Sequence, residues 1–294
     1  MSQPVVMRVE SAGNERTGAS SMTGRVTGGP AMYAVLGDPV AHSLSPVIHN
    51  AAFRATGRNA SYVARRVGAG KCGPVLRSLA LGGGGGNVTV PHKERVVPFL
   101  DRRTRAVEAT GACNTFWARE GEVWGDNTDV EGFLGTWHGV VARPGDGVEV
   151  LLLGAGGAAR AVLHALLGTQ DVGRVRLWNR GEERARTLIG QHGDSRLSRI
   201  GDWRGESPDV VVNATSVGLD GRAAPLDLRE LAALPRAVID LVYGRDPTPL
   251  CREAAELGVP TRDGREMLVR QAEASHARWF GRPPPPGVMA RALE

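Results

Sequence analysis

Between Tyr33 and the C-terminus, short apolar runs alternate with longer stretches of mixed polarity, and run length separates the two kinds of element. Tyr33–Leu36, Ser61–Arg66 and Asn87–Val90 are too short for helices and are predicted as strands. Ser45 as N-cap with Pro46 at the first helical position predicts a helix from there through Phe53. Ala112–Arg119 and Glu122–Trp124 are a predicted hairpin turning at Glu120–Gly121, and a helix is expected from Asp129 to about Val141. The polar connection Arg143–Gly147 leads into Val148–Leu153, a run apolar but for Glu149, of the kind covered on both faces in a parallel sheet. Behind it come a glycine-rich turn, a helix (Gly157–Leu167), a strand (Val175–Trp178), a helix (Glu182–Gln191) and strands at Val210–Val212 and Ala237–Leu241. This alternation predicts a doubly wound parallel sheet, so the fold class is α/β. Residues 1–31 are rich in Gly, Ser, Thr and Arg with no apolar period. They are expected to be a disordered tail outside the chemistry, with Met22 and Met32 as candidate translation starts. The five consecutive glycines Gly82–Gly86 read as a flexible surface turn, since no Lys-Ser/Thr follows in phosphate-loop spacing.

Composition narrows the classes. The 294 residues suffice for two domains, and no apolar stretch approaches the ~18 residues of a membrane span, so no membrane partner is expected. Cys72, Cys113 and Cys251 are odd in number and far apart. That predicts neither a disulfide framework nor a metal site, and a reducing, cytoplasmic compartment. The net charge of +5 comes from 36 basic and 31 acidic residues, and every basic residue except Lys71 and Lys93 is an arginine. The arginines are scattered, the longest cluster being Arg102, Arg103 and Arg105, which is not the concentrated stripe of a nucleic-acid binder. No nucleic acid partner is expected. Chemistry that needs an ammonium group has only two candidates.

Three motifs carry candidate chemistry. Gly154-Ala155-Gly156-Gly157-Ala158-Ala159 is a G-x-G-x-x-A between a buried strand and a helix. Its first glycine permits the tight turn, its second lets backbone approach a pyrophosphate, and the helix N-terminus supplies N–H donors. The following strand ends in Asn179-Arg180, with Arg184 one helical turn on. Arginines there suit a 2′-phosphate, whereas a carboxylate would suit a ribose hydroxyl. Positive charge at a helix N-terminus is otherwise unfavourable, which argues against mere surface arginines. The third constellation is Asn87-Val88-Thr89-Val90-Pro91-His92-Lys93 together with Asn127-Thr128-Asp129. Alternation would direct Asn87 and Thr89 to one side, and Lys93 lies just beyond the strand. A Lys–Asp pair serves either proton transfer to a developing alkoxide or an ordinary salt bridge, and spacing alone leaves both open.

The ordered motifs resemble the shikimate dehydrogenase family from about Met32 to the C-terminus. They are Tyr33-Ala-Val-Leu-Gly-Asp-Pro-Val-Ala-His42-Ser43-Leu44-Ser45-Pro46, Gly86-Asn87-Val-Thr89-Val-Pro-His-Lys93, Gly111-Ala-Cys-Asn114-Thr, Gly125-Asp-Asn127-Thr-Asp129, Asn213-Ala-Thr215-Ser-Val-Gly218 and Met267-Leu-Val-Arg-Gln271. The resemblance implies an N-terminal α/β substrate domain plus a Rossmann-like doubly wound parallel-sheet NADP domain. The first would be residues 32–130, completed by C-terminal helices at 267–294, and the second residues 131–266. It also implies NADPH-dependent, reversible reduction of 3-dehydroshikimate to shikimate in aromatic amino-acid (chorismate) biosynthesis, by a monomer or homodimer without metal. Lys93 and Asp129 would be the catalytic pair. Ser43 and Ser45 would bind the substrate carboxylate, Ser45 also serving as cap. Asn87, Thr89, Asn114 and Gln271 would hold carboxylate or ring hydroxyls. Gly154, Ala155, Gly156, Gly157 and Ala158 would cradle the pyrophosphate, and Asn179, Arg180 and Arg184 the 2′-phosphate. Thr215, Val217 and Tyr243 would border nicotinamide or substrate, with Ser216, Leu241 and Gly264 completing the cofactor lining. His42 and His92 would be structural turn residues. Cys113 stands where the family usually has Val, and Glu266 where many members have Gly near the nicotinamide edge. The rival readings are a paralogue acting on quinate or an amino-shikimate, and a nucleotide-binding regulator without turnover. Ser43-Leu44-Ser45 favours shikimate, and the presence of both Lys93 and Asp129 speaks against the regulator.

Overall fold

Along the central strands successive side chains point to opposite faces, and in this protein both faces of two sheets are covered as a result. The structure, a computed structural model, describes residues 29–140, 147–244 and 246–294. The tail expected at 1–31 therefore falls outside the described residues up to 28. So do Met22, Val141 and the connection Arg143–Asp146. Ala31, placed in that tail from sequence, instead opens the first strand.

The first sheet contains β1 (Ala31–Gly37), β2 (Ala60–Arg66), β3 (Gly85–Val88), β4 (Arg102–Arg103), β5 (Thr115–Arg119) and β6 (Glu122–Asp126), in the order β2-β1-β3-β5-β6-β4. β1 runs parallel to β2 and β3, while β5 and β6 form the expected antiparallel hairpin beside β3. Helices α1 (Ser45–Ala55), α2 (Cys72–Leu81) and α3 (Arg105–Thr110) belong to this half. The second sheet is β7 (Val148–Leu153), β8 (Val172–Trp178), β9 (Leu197–Arg199), β10 (Val210–Asn213), β11 (Ala237–Asp240) and β12 (Thr261–Arg262), all parallel, in the order β12-β11-β10-β7-β8-β9. With α4 (Asp129–Val140), α5 (Gly157–Gly168), α6 (Glu182–His192) and α7 (Pro249–Glu256) it is doubly wound, as predicted. Val148, Val150 and Leu152 of β7 join one core with Phe133, Trp137 and Val162. Leu151 and Leu153 join the opposite one with Leu250 and Ala254.

Two more helices close the chain, α8 (Gly264–Phe280) and α9 (Val288–Arg291). The proposed boundary at 266/267 falls inside α8, which serves both halves. Met267 enters the core of the second sheet, Leu268 and Ala272 pack with Ile48 and Ala52 of α1, and Trp279 rests on Tyr33. α8 lies against α4 at Gly132, where an added Cβ would come within 2.9 Å of the Gln271 Cβ. Close approach of the two backbones is what needs glycine there.

Three local expectations change. The helix expected from an N-cap at Ser45 has Leu44 as its cap residue. Ser45 is the first helical residue, and its N–H donates to Ser43 Oγ at 3.3 Å. The strand expected at Asn87–Val90 runs Gly85–Val88, so Thr89 lies past its end and its methyl group packs on Gly37. The glycine run is not a surface turn. Gly82 and Gly83 turn, but Gly84, Gly85 and Gly86 are buried, and a Cβ on Gly86 would collide with the Ala34 carbonyl oxygen. The run is the price of slotting β3 tightly between β1 and β5.

His49 of α1 is fully buried and stacks on Tyr62 at 4.4 Å between ring centroids. Neither of its ring nitrogens has a partner among the described residues. Burial lowers its pKa from 6.5 to about 3, with His276 adding a smaller repulsion. The folded state therefore rejects a proton that the unfolded chain accepts, so stability is lost as pH falls below about 6.5. Between pH 7 and pH 5 the loss through this residue is about 2 kcal/mol. Denaturant titrations at the two pH values check it. His49→Phe should flatten the dependence, and an unchanged slope would remove His49 from the account.

Candidate active site

Register brings the polar residues of the first sheet into one row. Asn87 of β3 stands opposite Thr115 of β5, and Thr115 opposite Asp126 of β6. All three are buried, so each needs partners. Asn87 Nδ2 donates to Thr115 Oγ1 and Ser275 Oγ, both at 3.0 Å, while its Oδ1 accepts from the Tyr62 hydroxyl at 2.8 Å. Asp126 accepts from Arg278 of α8 at 2.6 Å and from Thr104, tying the end of β6 to the last helical turns.

Next to this row lie Lys93 and Asp129. Lys93 follows the end of β3 in a turn pinned by its neighbours. His92 Nε2 contacts the Val67 carbonyl at 2.6 Å, and the Lys93 carbonyl accepts from Cys113 N at 2.8 Å. Asp129 is the first residue of α4, where the helix dipole favours a carboxylate. Lys93 Nζ reaches Asp129 Oδ2 at 2.5 Å, with 13% and 7% of the two side chains exposed. Asn114 Nδ2 donates to Asp129 Oδ1 at 2.8 Å and approaches Gln271 Oε1 at 3.3 Å. The orientation of Asn114 is fixed because its Oδ1 accepts from Thr128 N at 2.8 Å and from the Thr115 hydroxyl at 2.9 Å. One oxygen of the carboxylate thus holds the ammonium group and the other is held by an amide.

Ser43 and Ser45 enter at the start of α1. Burial raises the Tyr243 pKa, with the Ser43 hydroxyl lowering it and the Asp129 charge raising it. Burial likewise holds the Tyr62 phenol protonated, beside Ser45 and Asn87. The Thr89 side chain lies past the end of β3, its methyl group against Gly37. His42 is exposed in a turn, and His92 is buried with Nε2 on the Val67 carbonyl.

On the side of the second sheet, Gly154 has φ +112°, and a Cβ there would lie 3.0 Å from the Ala214 carbonyl. Around Gly156, the cap of α5, a Cβ would meet nothing within 4 Å, so this face of the turn is open. Gly157 faces Lys93, whose Cβ would lie 3.0 Å from a Cβ at 157. Ala155 and Ala158 back the turn against the core. Asn179 Nδ2 donates to the Gly181 carbonyl at 2.8 Å, shaping the turn that carries Arg180 and Arg184, both exposed. The nearby Glu182 is engaged with Arg186 and Arg199, so Arg180 and Arg184 have no ion-pair partner among the described residues. Thr215 N–H and hydroxyl both donate to Asn213 Oδ1, Ser216 and Val217 are exposed beyond it, and Gly264 abuts the Leu241 carbonyl. Glu266 pairs with Arg270 at 2.8 Å and approaches Arg262 at 3.9 Å. Its carboxylate is thus engaged by arginines of α8 and β12 and not by the glycine-rich turn.

Known proteins bear on this geometry. A family model described as the shikimate dehydrogenase substrate binding domain matches residues 35–116, and one described as the shikimate 5'-dehydrogenase C-terminal domain matches residues 264–294. A shikimate dehydrogenase (NADP(+)) of Citrifermentans bemidjiense is 42% identical over 282 residues, covering 91% of this chain and 96% of that protein. The chain belongs to the shikimate dehydrogenase family. Among solved structures of shikimate dehydrogenases, that from Aquifex aeolicus superposes with a TM-score of 0.82 at 33% identity, over 92% of this chain and 99% of the other. The Thermus thermophilus shikimate 5-dehydrogenase, solved in complex with NADP(H) and shikimate, gives 0.77 at 35% identity, over 89% and 98%. The shikimate dehydrogenase fold therefore accounts for both sheets.

Tyr62, Thr115, Thr128 and Ser275 are the members of the polar cluster that sequence reading passed over. Signals existed for three. Thr115 and Thr128 sit inside the motifs that carry Asn114 and Asp129, and Ser275 follows Gln271 by one helical turn on the same buried face. Among the described residues no group of three or more His, Cys, Asp or Glu is placed to hold a metal ion, and no helix is long and apolar enough to cross a membrane.

Proposed function

We propose that this chain catalyses the reversible, NADP-dependent interconversion of 3-dehydroshikimate and shikimate. The observation that carries the reading is the enclosed Lys93–Asp129 pair, set between a cluster of buried amides and hydroxyls and the glycine-rich turn of a second, parallel sheet. The open face at Gly156, the N-terminus of α5, and Arg180 and Arg184, without ion-pair partners among the described residues, fit the pyrophosphate and 2′-phosphate of NADP. When bound, that cofactor supplies or accepts the hydride, and the rest falls to the protein. Lys93 delivers a proton to the carbonyl oxygen on reduction and recovers it on oxidation. Asp129 orients the ammonium group and stabilises its charged form. Ser43, Ser45 and Tyr243 receive the substrate carboxylate, while Asn87, Thr89, Asn114 and Gln271 bind ring hydroxyls.

The substrate unit is residues 32–130 with 267–294, and the nucleotide unit residues 131–266, the two joined through α4 and α8. The enzyme acts in the cytoplasm as a monomer or homodimer. The test is a spectrophotometric panel of shikimate, quinate and an amino-shikimate, each with NADP. Shikimate should give the highest catalytic efficiency. A preference for quinate or the amine would move the chain to a paralogous activity, and turnover of none of them would sink the reading.

A further inference from the structure

Asp240 ends β11 fully buried, and no cation pairs with its carboxylate among the described residues. Its three partners are all donors and come from three segments. The Asn213 amide at the end of β10 donates to Oδ1 at 2.8 Å, Val242 N–H donates to the same oxygen at 3.0 Å, and Thr248 at the cap of α7 donates to Oδ2 at 2.6 Å. Burial pushes the carboxyl up to about 6, with the three donors opposing the shift and Asp263 adding to it. A buried carboxylate without a cation costs stability, so its presence calls for a geometric reason.

The reason lies in what a carboxylate cannot do. It accepts hydrogen bonds and donates none, so the Asn213 amide must turn its NH₂ group toward Asp240, from where it also donates to the Val217 carbonyl at 3.2 Å. Asn213 Oδ1 then faces Thr215, accepting from its N–H at 3.0 Å and its hydroxyl at 2.7 Å, and Thr215 Oγ1 accepts from Val217 N–H at 3.0 Å. One amide direction sets the whole turn. We propose that Asp240 is a positioning residue, which fixes the orientation of Asn213 and thereby holds the Thr215–Val217 turn in place for the nicotinamide half of the dinucleotide. This rests on the NADP reading given above.

In Asp240→Asn the side chain keeps its shape but gains a donor, and the NH₂ group of Asn213 keeps only the longer bond to the Val217 carbonyl, at 3.2 Å, to set its direction. The expected result is a split between the two ends of the cofactor. NADP⁺ binding measured by calorimetry weakens about five-fold or more and single-turnover hydride transfer slows about ten-fold or more, whereas adenosine 2′,5′-bisphosphate binds within about two-fold of wild type. Asn213→Ala should give the same split, and the double variant should be no worse than Asn213→Ala alone, because the two residues act as one unit. Thr248→Val, which removes the partner of the other carboxylate oxygen, should lower thermal stability without the split. A split there too would count against the proposal. It is overturned by unchanged NADP⁺ binding and hydride transfer, by equal weakening of both ligands, or by additive losses in the double variant. Should Asp240→Asn fail to fold, Asn213→Ala decides through the same measurements. Wild-type protein that binds the bisphosphate yet turns over no shikimate would instead overturn the functional reading, so the two failures are distinct.

Discussion

Replacing Lys93 with alanine should lower shikimate turnover by about 10²–10⁴-fold, the usual contribution of a positioned acid or base. The Michaelis constant for shikimate should move far less, because Asn87, Asn114, Gln271 and the two serines remain. The variant leaves Asp129 buried without its ammonium partner, so thermal stability has to be followed in parallel. Lys71, the only other lysine, is exposed at the start of α2, and Lys71→Ala is the matched control. Steady-state kinetics on the two variants decide the matter. Near-normal turnover without Lys93 would reduce the Lys93–Asp129 contact to a structural ion pair.

Catalytic efficiency with NADP should exceed that with NAD by about a hundredfold or more, on the worth of charge-assisted hydrogen bonds to a phosphate. NADP places up to two negative charges where NAD has a neutral hydroxyl. The segment after β8 would present Arg180 and Arg184 there, exposed and without ion-pair partners among the described residues, and β8 is followed by Asn179 where a carboxylate would accept from a hydroxyl. Guanidinium groups gain from the phosphate and nothing specific from the hydroxyl. Arg180→Ala should collapse the ratio mostly through the NADP arm, and added salt should erode the wild-type preference, since exposed charges are screened. A ratio that the substitution leaves untouched would show these arginines to be surface charge only.

Much of this was legible from the chain because the chemistry sits at element ends. A run such as Val150–Leu153, apolar at every position and buried throughout, reads as a strand covered on both faces, and the glycines that follow it as a turn. Lys93 and Asp129 stood out because lysine is so scarce. What sequence could not supply was register. Asn87 meets Thr115 because β3 pairs antiparallel with β5, and nothing local to either segment encodes that pairing. Ser275 is brought to the same spot from 160 residues beyond Thr115 by the path of α8. The glycine run misled for a related reason. Its demand for small residues comes from Met32, Ala34 and Phe116 on neighbouring strands, so locally it looked like slack. Thr89 was placed by a strand periodicity that stops at Val88.

The contact between Gly157 and the stem of Lys93 also bears on how sequence variation at this turn is to be interpreted. Position 157 belongs by motif to the dinucleotide, and a change there would ordinarily be scored as a cofactor-affinity change. Here a single methyl group at 157 presses first on the lysine, at 3.0 Å from its Cβ, before it meets any ligand. Under the proposed mechanism, hydride delivery and proton delivery would share one backbone landmark. Substitutions at one ought to be inherited together with compensations at the other, and a variant at 157 belongs with the proton-transfer defects even when cofactor binding is intact.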